Sequence, residues 1–587
     1  MVPADLRARA QAWIADDPDP DDRAEVRALL TESSGTDQRS RVASAELTDR
    51  FAGRLKFGTA GLRGAIGGGP NRMNRAVVRS ATAALAGWLR QRRPGAAQAG
   101  VVVGWDARHR SAEFADEVIS VLTGAGIRVH QLPGRCPTPL LAFGVRHLSA
   151  AAGVMITASH NPPADNGYKL YLGDGAQIVP PDDVQIAAAI RALGPLSQIR
   201  AGPATSPLVI HHGDEVAQAY LEAIMESSAA DGGSLAEGGG PAGRTLRVVY
   251  TPLHGVAGRL AVRAITRAGF PAPHVVAAQA DPDPDFPTVA LPNPEQPGAL
   301  DLALADARRL GADVVLANDP DGDRLAVAVP DPLTDGGWRM LTGDQLGALL
   351  GAYLLGETAG GTQAGGTLAQ DRLVATTVVS STMLSKIAAA AGVRYAETLT
   401  GFKWIVRAGE YAPDSRFVFG YEEALGYAVG DTVRDKDGIS AALAVLALVA
   451  GARSAGQSLL DRWDALEATH GVHLTAQLTL AARRPAGVMA ELRHDPPTAL
   501  AGQPVISSAD LATGRGGLPP ADVLRYWLTG ARVVIRPSGT EPKLKAYLEV
   551  VELTAGRSLA AARAAAAVRL TALRSAVETL ISGEPGR

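Results

Sequence analysis

Residues 312–323 read ADVVLANDPDGD, and the stretch changes character halfway along. Its first half is an apolar, β-branched run whose shortness suits a buried strand better than a helix. Its second half is a polar turn with aspartates at 319, 321 and 323 and a glycine at 322. An apolar strand that stops abruptly in a charged loop is characteristic of open α/β sheets, where ligands gather beyond the carboxyl ends of the strands. The same design recurs at VVVGWD (101–106), GVMITASH (153–160), LRVVYTPLHG (246–255) and RLVATTVVSS (372–381). Helical spacing fills the intervals, as in AVVRSATAALAGWLR and ADEVISVLTGAG. Strands alternating with helices predict parallel sheets covered by helices, an α/β fold.

The chain has 587 residues, which at roughly 100–200 residues per domain suggests about three to five domains. Changes of pattern place boundaries near 215, 335 and 465, giving 1–215, 216–335, 336–465 and 466–587. Residues 1–50 read as a helical extension of the first domain, and SLAAARAAAAVRLTALRSAVETLI near the end reads as a long helix. Two Gly-rich stretches, 229–243 and 356–370, lack the P-loop pattern and read as surface insertions. The net charge of −3 and pI near 6.4 argue against a nucleic-acid partner. The single cysteine, Cys136, excludes an internal disulfide and gives a thiolate zinc site almost no support. The first twenty residues contain no apolar signal region, and the longest apolar run, 439–452, is too short for a membrane span. A cytoplasmic protein with no membrane partner is the expectation.

The loops carry the chemistry. In DPDGDR (319–324), Asp319, Asp321 and Asp323 alternate over five residues and would repel one another without a cation. Hard oxygen ligands suit magnesium. An EF-hand is excluded, because Arg324 and Pro330 stand where that loop needs glycine and a bidentate glutamate. RPSGTEPKLKAY (536–547) follows an apolar strand and gathers Arg536, Ser538, Gly539 and Thr540, a set of donors that fits a phosphate. GYEEALGY (420–427) offers Glu422 and Glu423, carboxylates able to accept from sugar hydroxyls. ETLTGFKW (397–404) adds Thr400 and Gly401, RDKDG (434–438) adds Lys436, and FGTAGLRG (57–64) adds Arg63. In TASHNPP (157–163), Ser159 reads either as a nucleophile or as a turn residue. A hydrolase serine is disfavoured: GxSxG is absent, and a histidine adjacent in sequence is usually poorly placed to act as its base. A phosphate-carrying serine would need a metal, which the acidic loop could hold, and a proton shuttle, for which Lys169 is a candidate.

TASHNPP, DPDGDR and RPSGTEP in that order, preceded by FGTAGLRG, make most of the chain resemble the α-D-phosphohexomutase superfamily of phosphoglucomutases and phosphomannomutases. PDFPTVALPNPEQPGAL (284–300) and ETLTGFKW look like its phosphoglucomutase-2-like branch, which includes phosphopentomutases. The resemblance implies four domains around a central cleft: three related α/β units and a smaller, mobile α+β C-terminal domain. It implies a phosphorylated Ser159, with Mg2+ held by that phosphoserine and Asp319, Asp321 and Asp323, and Arg63 and Lys169 in proton transfer and charge stabilisation. It places Arg324, Thr400, Gly401, Glu422 and Lys436 on the substrate, with Arg536, Ser538, Gly539 and Thr540 on its non-reacting phosphate. The activity implied is transfer of phosphate between C1 and C6 of glucose or mannose phosphates, with glucose 1,6-bisphosphate as activator and intermediate. One departure is informative. The family's sugar loop commonly reads Gly-Glu-x-Ser, whereas residues 421–424 are Tyr-Glu-Glu-Ala, so Ala424 lacks a hydroxyl and a pentose phosphate becomes an alternative substrate. A catalytically silent sugar-phosphate binder on the same fold is a third reading.

Overall fold

The computed structural model describes residues 2–59, 61–230, 243–356, 369–481, 484–538 and 543–582. They fall into two compact units. One comprises Met1–Ser227, Arg244–Ala328 and Thr432–Leu443; the other comprises Ser228–Gly243, Val329–Asp431 and Ala444–Arg587. The Gly-rich insertions lie outside the described residues over 231–242 and 357–368.

The first unit holds two sheets. In the larger, Val101–Trp105 runs parallel to Val129–Arg135 and to Ala152–Ile156, and Val129–Arg135 runs parallel to Val209–His211. Asp165–Leu172 then pairs antiparallel with Ala152–Ile156, and Leu62–Ala65 pairs antiparallel with Asp165–Leu172. In the smaller sheet, Val248–Thr251 lies parallel to Val314–Ala317 and His274–Val275, while Ala326–Pro330 returns antiparallel beside Val314–Ala317. The sheets are therefore mixed, not wholly parallel. The strand ADVVLAN proposed from sequence is Val314–Ala317, buried along its length as its apolar composition requires. Residues 1–50 form three helices, Ala4–Asp16, Pro20–Glu32 and Gln38–Arg50, which share a core of Val2, Leu6, Ala10, Val26, Leu30 and Leu47. Pro20 occupies the first turn of its helix and the Asp19 side chain accepts from Asp21 N and Asp22 N, satisfying otherwise orphaned amides.

The second unit also holds two principal sheets. Arg372–Thr377 is flanked in parallel by Arg394–Thr398 and Arg416–Glu422, and Gly426–Val429 closes a hairpin on the latter. The C-terminal sheet is antiparallel, ordered Val472–Ala481, Lys543–Glu552, Ala531–Pro537, Leu524–Leu528 and Ser507–Asp510. The terminal helix, Leu559–Ser582, packs Ala562, Ala566, Leu573, Val577 and Ile581 into the core that includes this sheet's Val472, Leu548 and Val550. Residue 465 falls inside the helix Leu459–His470. No single helix among the described residues is long and apolar enough to cross a membrane.

A buried charge pair joins the two sheets of the second unit. Arg532 lies 3.0 Å from Glu549 and donates to the carbonyls of Val378 and Ser380. Glu549 accepts from Thr382 N, the hydroxyls of Ser381 and Thr382, and the His473 ring. Burial alone would raise the Glu549 carboxyl, but Arg532 and His473 pull it down to about 2 from the ordinary 4.5. The ionised form is thus favoured in the folded state. Its stabilisation is fully present above pH 4.5 and is lost as pH falls towards 2. Glu549→Gln leaves Arg532 with Glu397, at 3.3 Å, as its remaining ion pair and is expected to cost about 3 kcal/mol. Urea midpoints of wild type and variant should converge as pH falls from 5 to 2. Parallel curves would show that this carboxylate does not carry the linkage.

Candidate active site

Ser159 follows the strand Ala152–Ile156, on a turn where its own backbone is left-handed, at φ 51°. For a non-glycine residue that conformation costs about 1–2 kcal/mol. The turn is over-determined in compensation. Ser159 N donates to Thr157 Oγ1 at 2.9 Å, and Arg108 reaches over the segment to donate to the carbonyls of Ser159, Asn161, Pro162 and Asp165. The Ser159 hydroxyl is buried and donates to Asp319 Oδ2 at 2.7 Å. His160 Nδ1 lies 3.0 Å from Ser159 Oγ, so the adjacency that discounted this pair in the sequence does not keep the two apart on this left-handed turn. A hydrolase triad does not result. Asp319 approaches that same Nδ1, at 3.9 Å, instead of orienting the ring from its far nitrogen, and burial with Arg324 and Arg63 nearby holds the imidazole neutral.

Asp319, Asp321 and Asp323 converge below the serine. One carboxylate oxygen from each lies within 4.8 Å of the others, and all three residues are buried. Gly322 makes the tight turn: its φ is +73°, and a Cβ there would sit 2.7 Å from Ala257 Cβ. Lys169 Nζ bridges Asp321 Oδ2 at 2.6 Å and Asp323 Oδ2 at 2.9 Å, and Lys436 Nζ stands 3.3 Å from Asp323 Oδ2. Burial opposes ionisation of Asp321 and Asp323, yet the lysines hold both below the usual carboxylate range. Asp319 meets no lysine here; burial and its two acidic neighbours push it well above that range. Asp321 Oδ1 and Asp323 Oδ1 are buried and accept no hydrogen bond among the described residues. Orphaned carboxylate oxygens beside a raised third carboxyl fit a hard divalent cation bound through oxygen, as magnesium is.

The flanking residues are equally constrained. Arg63 sits on Leu62–Ala65, opposite Gly167, and donates to Asn161 Oδ1 at 3.0 Å. Arg324 N donates to Asp319 Oδ1, and its guanidinium stands 3.6 Å from Glu295. Asp435, next to Lys436, accepts from Tyr171 OH at 2.6 Å and Gln177 Nε2 at 2.9 Å. Sequence reading selected neither Asp435 nor Arg108. The polar tail of VVVGWDARHR marks a functional loop, but a guanidinium whose acceptors are backbone carbonyls leaves no pattern of side chains to find.

The second unit carries the remaining candidates. Glu422 ends the strand Arg416–Glu422, and Glu423–Leu425 turn the hairpin into Gly426–Val429, with Leu425 left-handed at φ 61°. The turn packs on the start of helix Gly343–Leu355, where a Cβ on Gly343 would lie 2.0 Å from the Glu423 carbonyl oxygen. Glu423 accepts from Ser380 Oγ at 3.1 Å, and burial with Glu422 alongside pushes it up to about 7. Thr400 and Gly401 precede the short helix Phe402–Ile405. Arg536 donates to Tyr547 OH at 3.1 Å with its guanidinium over that ring, and Ser538 N donates to Lys543 O. Gly539 and Thr540 lie outside the described residues.

Profiles of phosphoglucomutase/phosphomannomutase alpha/beta/alpha domains I, II and III match residues 54–195, 218–335 and 342–467, and the C-terminal domain profile matches 487–566. A Haemophilus influenzae protein named "Probable phosphomannomutase" is 40% identical over 81% of this chain and 93% of its own. A Schizosaccharomyces pombe protein named "Probable phosphoribomutase" is 36% identical over 92% of this chain and 93% of its own. The crystal structure of a phosphoglucomutase/phosphomannomutase family protein from Burkholderia thailandensis superposes with a TM-score of 0.64 at 22% identity, covering 89% of this chain and 97% of that one.

If the aspartate cluster binds a divalent cation, magnesium at a hundred times its dissociation constant stabilises the protein by about 2.7 kcal/mol. Thermal melts with and without chelator should show the rise in wild type and lose it in Asp321→Asn. An equal rise in that variant would place the cation elsewhere.

Proposed function

The chain belongs to the phosphoglucomutase/phosphomannomutase family, and from that membership we propose a magnesium-dependent phosphosugar mutase that works through a phosphorylated Ser159. The observation that carries the reading is the Ser159 hydroxyl hydrogen-bonded to Asp319 at the edge of a buried, lysine-braced carboxylate cluster. Asp319, Asp321 and Asp323 would hold the magnesium together with an oxygen of the phosphoserine. The cation, when bound, neutralises charge on the transferring phosphoryl group.

The chain's own groups do the rest. The bond from Ser159 Oγ to phosphorus breaks as a sugar hydroxyl forms its own bond to that phosphorus, and the proton this hydroxyl loses balances the one that Ser159 Oγ gains. Lys169, held protonated between two carboxylates, supplies positive charge and a proton for the departing serine oxygen. Arg63, bonded to Asn161 of the same loop, adds a fixed cation. The bisphosphorylated sugar then turns end for end and returns its other phosphate to Ser159. Arg324, Thr400, Gly401, Glu422 and Lys436 contact the sugar phosphate, and Arg536, Ser538, Gly539 and Thr540 hold the phosphate that does not react.

The substrate read first is a hexose phosphate, glucose 1-phosphate and 6-phosphate with mannose phosphates as a second pair, and glucose 1,6-bisphosphate as activator. A second reading, ribose or deoxyribose 1-phosphate to 5-phosphate, is favoured by Ala424 and by the name of the fission-yeast relative. A coupled assay comparing kcat/KM for glucose 1-phosphate and ribose 1-phosphate decides between them; dominant turnover of the pentose overturns the first. Ala424→Ser, which restores a hydroxyl to the loop, should move the ratio towards the hexose by about 1–3 kcal/mol. Ser159→Ala should abolish isomerisation while sugar-phosphate binding persists. A wild-type protein that binds these substrates but never isomerises them, even with magnesium and bisphosphate, would be a silent binder.

A further inference from the structure

We infer that Arg108 is a positioning residue for Ser159, and that Phe286, from the smaller sheet's domain, holds Arg108 in place; the inference rests on the phosphoserine reading above. Arg108 is 4% exposed. Its two terminal nitrogens carry four N–H groups, and each finds a different carbonyl. Nη2 donates to Ser159 O at 2.5 Å and Asn161 O at 2.6 Å, and Nη1 donates to Pro162 O at 2.7 Å and Asp165 O at 3.1 Å. Every bond thus goes to the turn that presents Ser159. Since Asn161 also receives Arg63, the clamp sets the place of a second candidate catalytic group.

The guanidinium is itself oriented from two sides. Asp106 Oδ2 lies 3.4 Å from Nε, and Asp106 Oδ1 accepts from Arg108 N and Ser111 Oγ. Above the plane stands Phe286, 5.0 Å from the guanidinium carbon to the ring centroid and 2% exposed. Phe286 is left-handed, at φ 46°, a conformation a bulky residue adopts only when its surroundings impose it. Its neighbour Asp285 accepts from or pairs with His109 at 2.7 Å, so the segment is pinned to the Arg108 loop at two consecutive residues. A lysine keeps the charge but offers three donors from one point and no planar face, so it cannot span four carbonyls.

The test uses full-length Arg108→Lys and Phe286→Leu beside Ser159→Ala. Steady-state kinetics with glucose 1-phosphate and ribose 1-phosphate give kcat and KM, and intact-mass measurement gives the rate of Ser159 phosphorylation by glucose 1,6-bisphosphate. Misplaced support of a reacting group characteristically costs about 10–100-fold. Arg108→Lys should therefore lower kcat and the phosphorylation rate by that factor with KM within twofold and the melting temperature close to wild type. Phe286→Leu should lower both rates in the same direction by a smaller factor. A wild-type phosphorylation rate in Arg108→Lys overturns the inference, and so does a loss confined to KM. Should Arg108→Lys not fold, Phe286→Leu decides by the same two readouts. Ser159→Ala that retains turnover removes the phosphoserine reading itself, whereas its inactivity beside two fully active variants removes only the clamp.

Discussion

Three carboxylates held within 4.8 Å of one another in a buried site cannot all be ionised unless positive charge stands among them. At that separation each like pair repels by roughly 3–4 kcal/mol with an effective dielectric near 20. Much of the first unit is arranged around this requirement. Lys169 comes from Asp165–Leu172, which pairs antiparallel with Ala152–Ile156, placing Lys169 opposite Met155 a few residues before Ser159. The Ser159 hydroxyl and the ammonium that braces Asp321 and Asp323 thus arrive from neighbouring strands. Lys436 arrives from far along the chain, and Asp435, anchored by Tyr171 and Gln177, fixes where it can reach. Two lysines serve Asp321 and Asp323; Asp319 faces the serine instead.

What sequence makes legible here is what changes abruptly along it. The run ADVVLAN switches to DPDGD within one residue, and the strand, the turn and the acidic cluster all follow from that switch. Features that depend on backbone conformation or on distant pairing are not written so plainly. The antiparallel strands Leu62–Ala65 and Asp165–Leu172 lack the long apolar runs of the parallel ones, so the mixed character of the first sheet is visible only in three dimensions. His160 beside Ser159 depends on one left-handed residue. Arg108 acts on carbonyls, which every residue has.

In the second unit, the turn carrying Glu422 and Glu423 is fixed by elements that have no reason to touch a sugar. Glu423 finds its hydroxyl on Ser380, whose carbonyl is held by Arg532 of the C-terminal sheet. Arg532 in turn is balanced by Glu549, which also gathers Ser381 and Thr382. The loop 378–382 is therefore shared between a strand that ends near the glutamates and a sheet that ends near Arg536. A proton that binds Glu423 close to neutrality changes charge at one end of this chain of contacts, and acid strong enough to reach Glu549 breaks it at the other.

The return of Thr432–Leu443 to the first unit bears on how the protein is made. A ribosome delivers the chain in order, and the 103 residues of Val329–Asp431 take roughly 5–20 s to synthesise. During that interval the acidic turn, its serine and Lys169 all exist, but Lys436 does not. Until Thr432–Leu443 is made, Asp323 has Lys169 but not Lys436, and Tyr171 and Gln177 lack Asp435. Completion of the lysine bracing around the aspartates is in this sense a late event in translation, and a ribosome stalled between those two points holds the earlier segments of the first unit without Lys436.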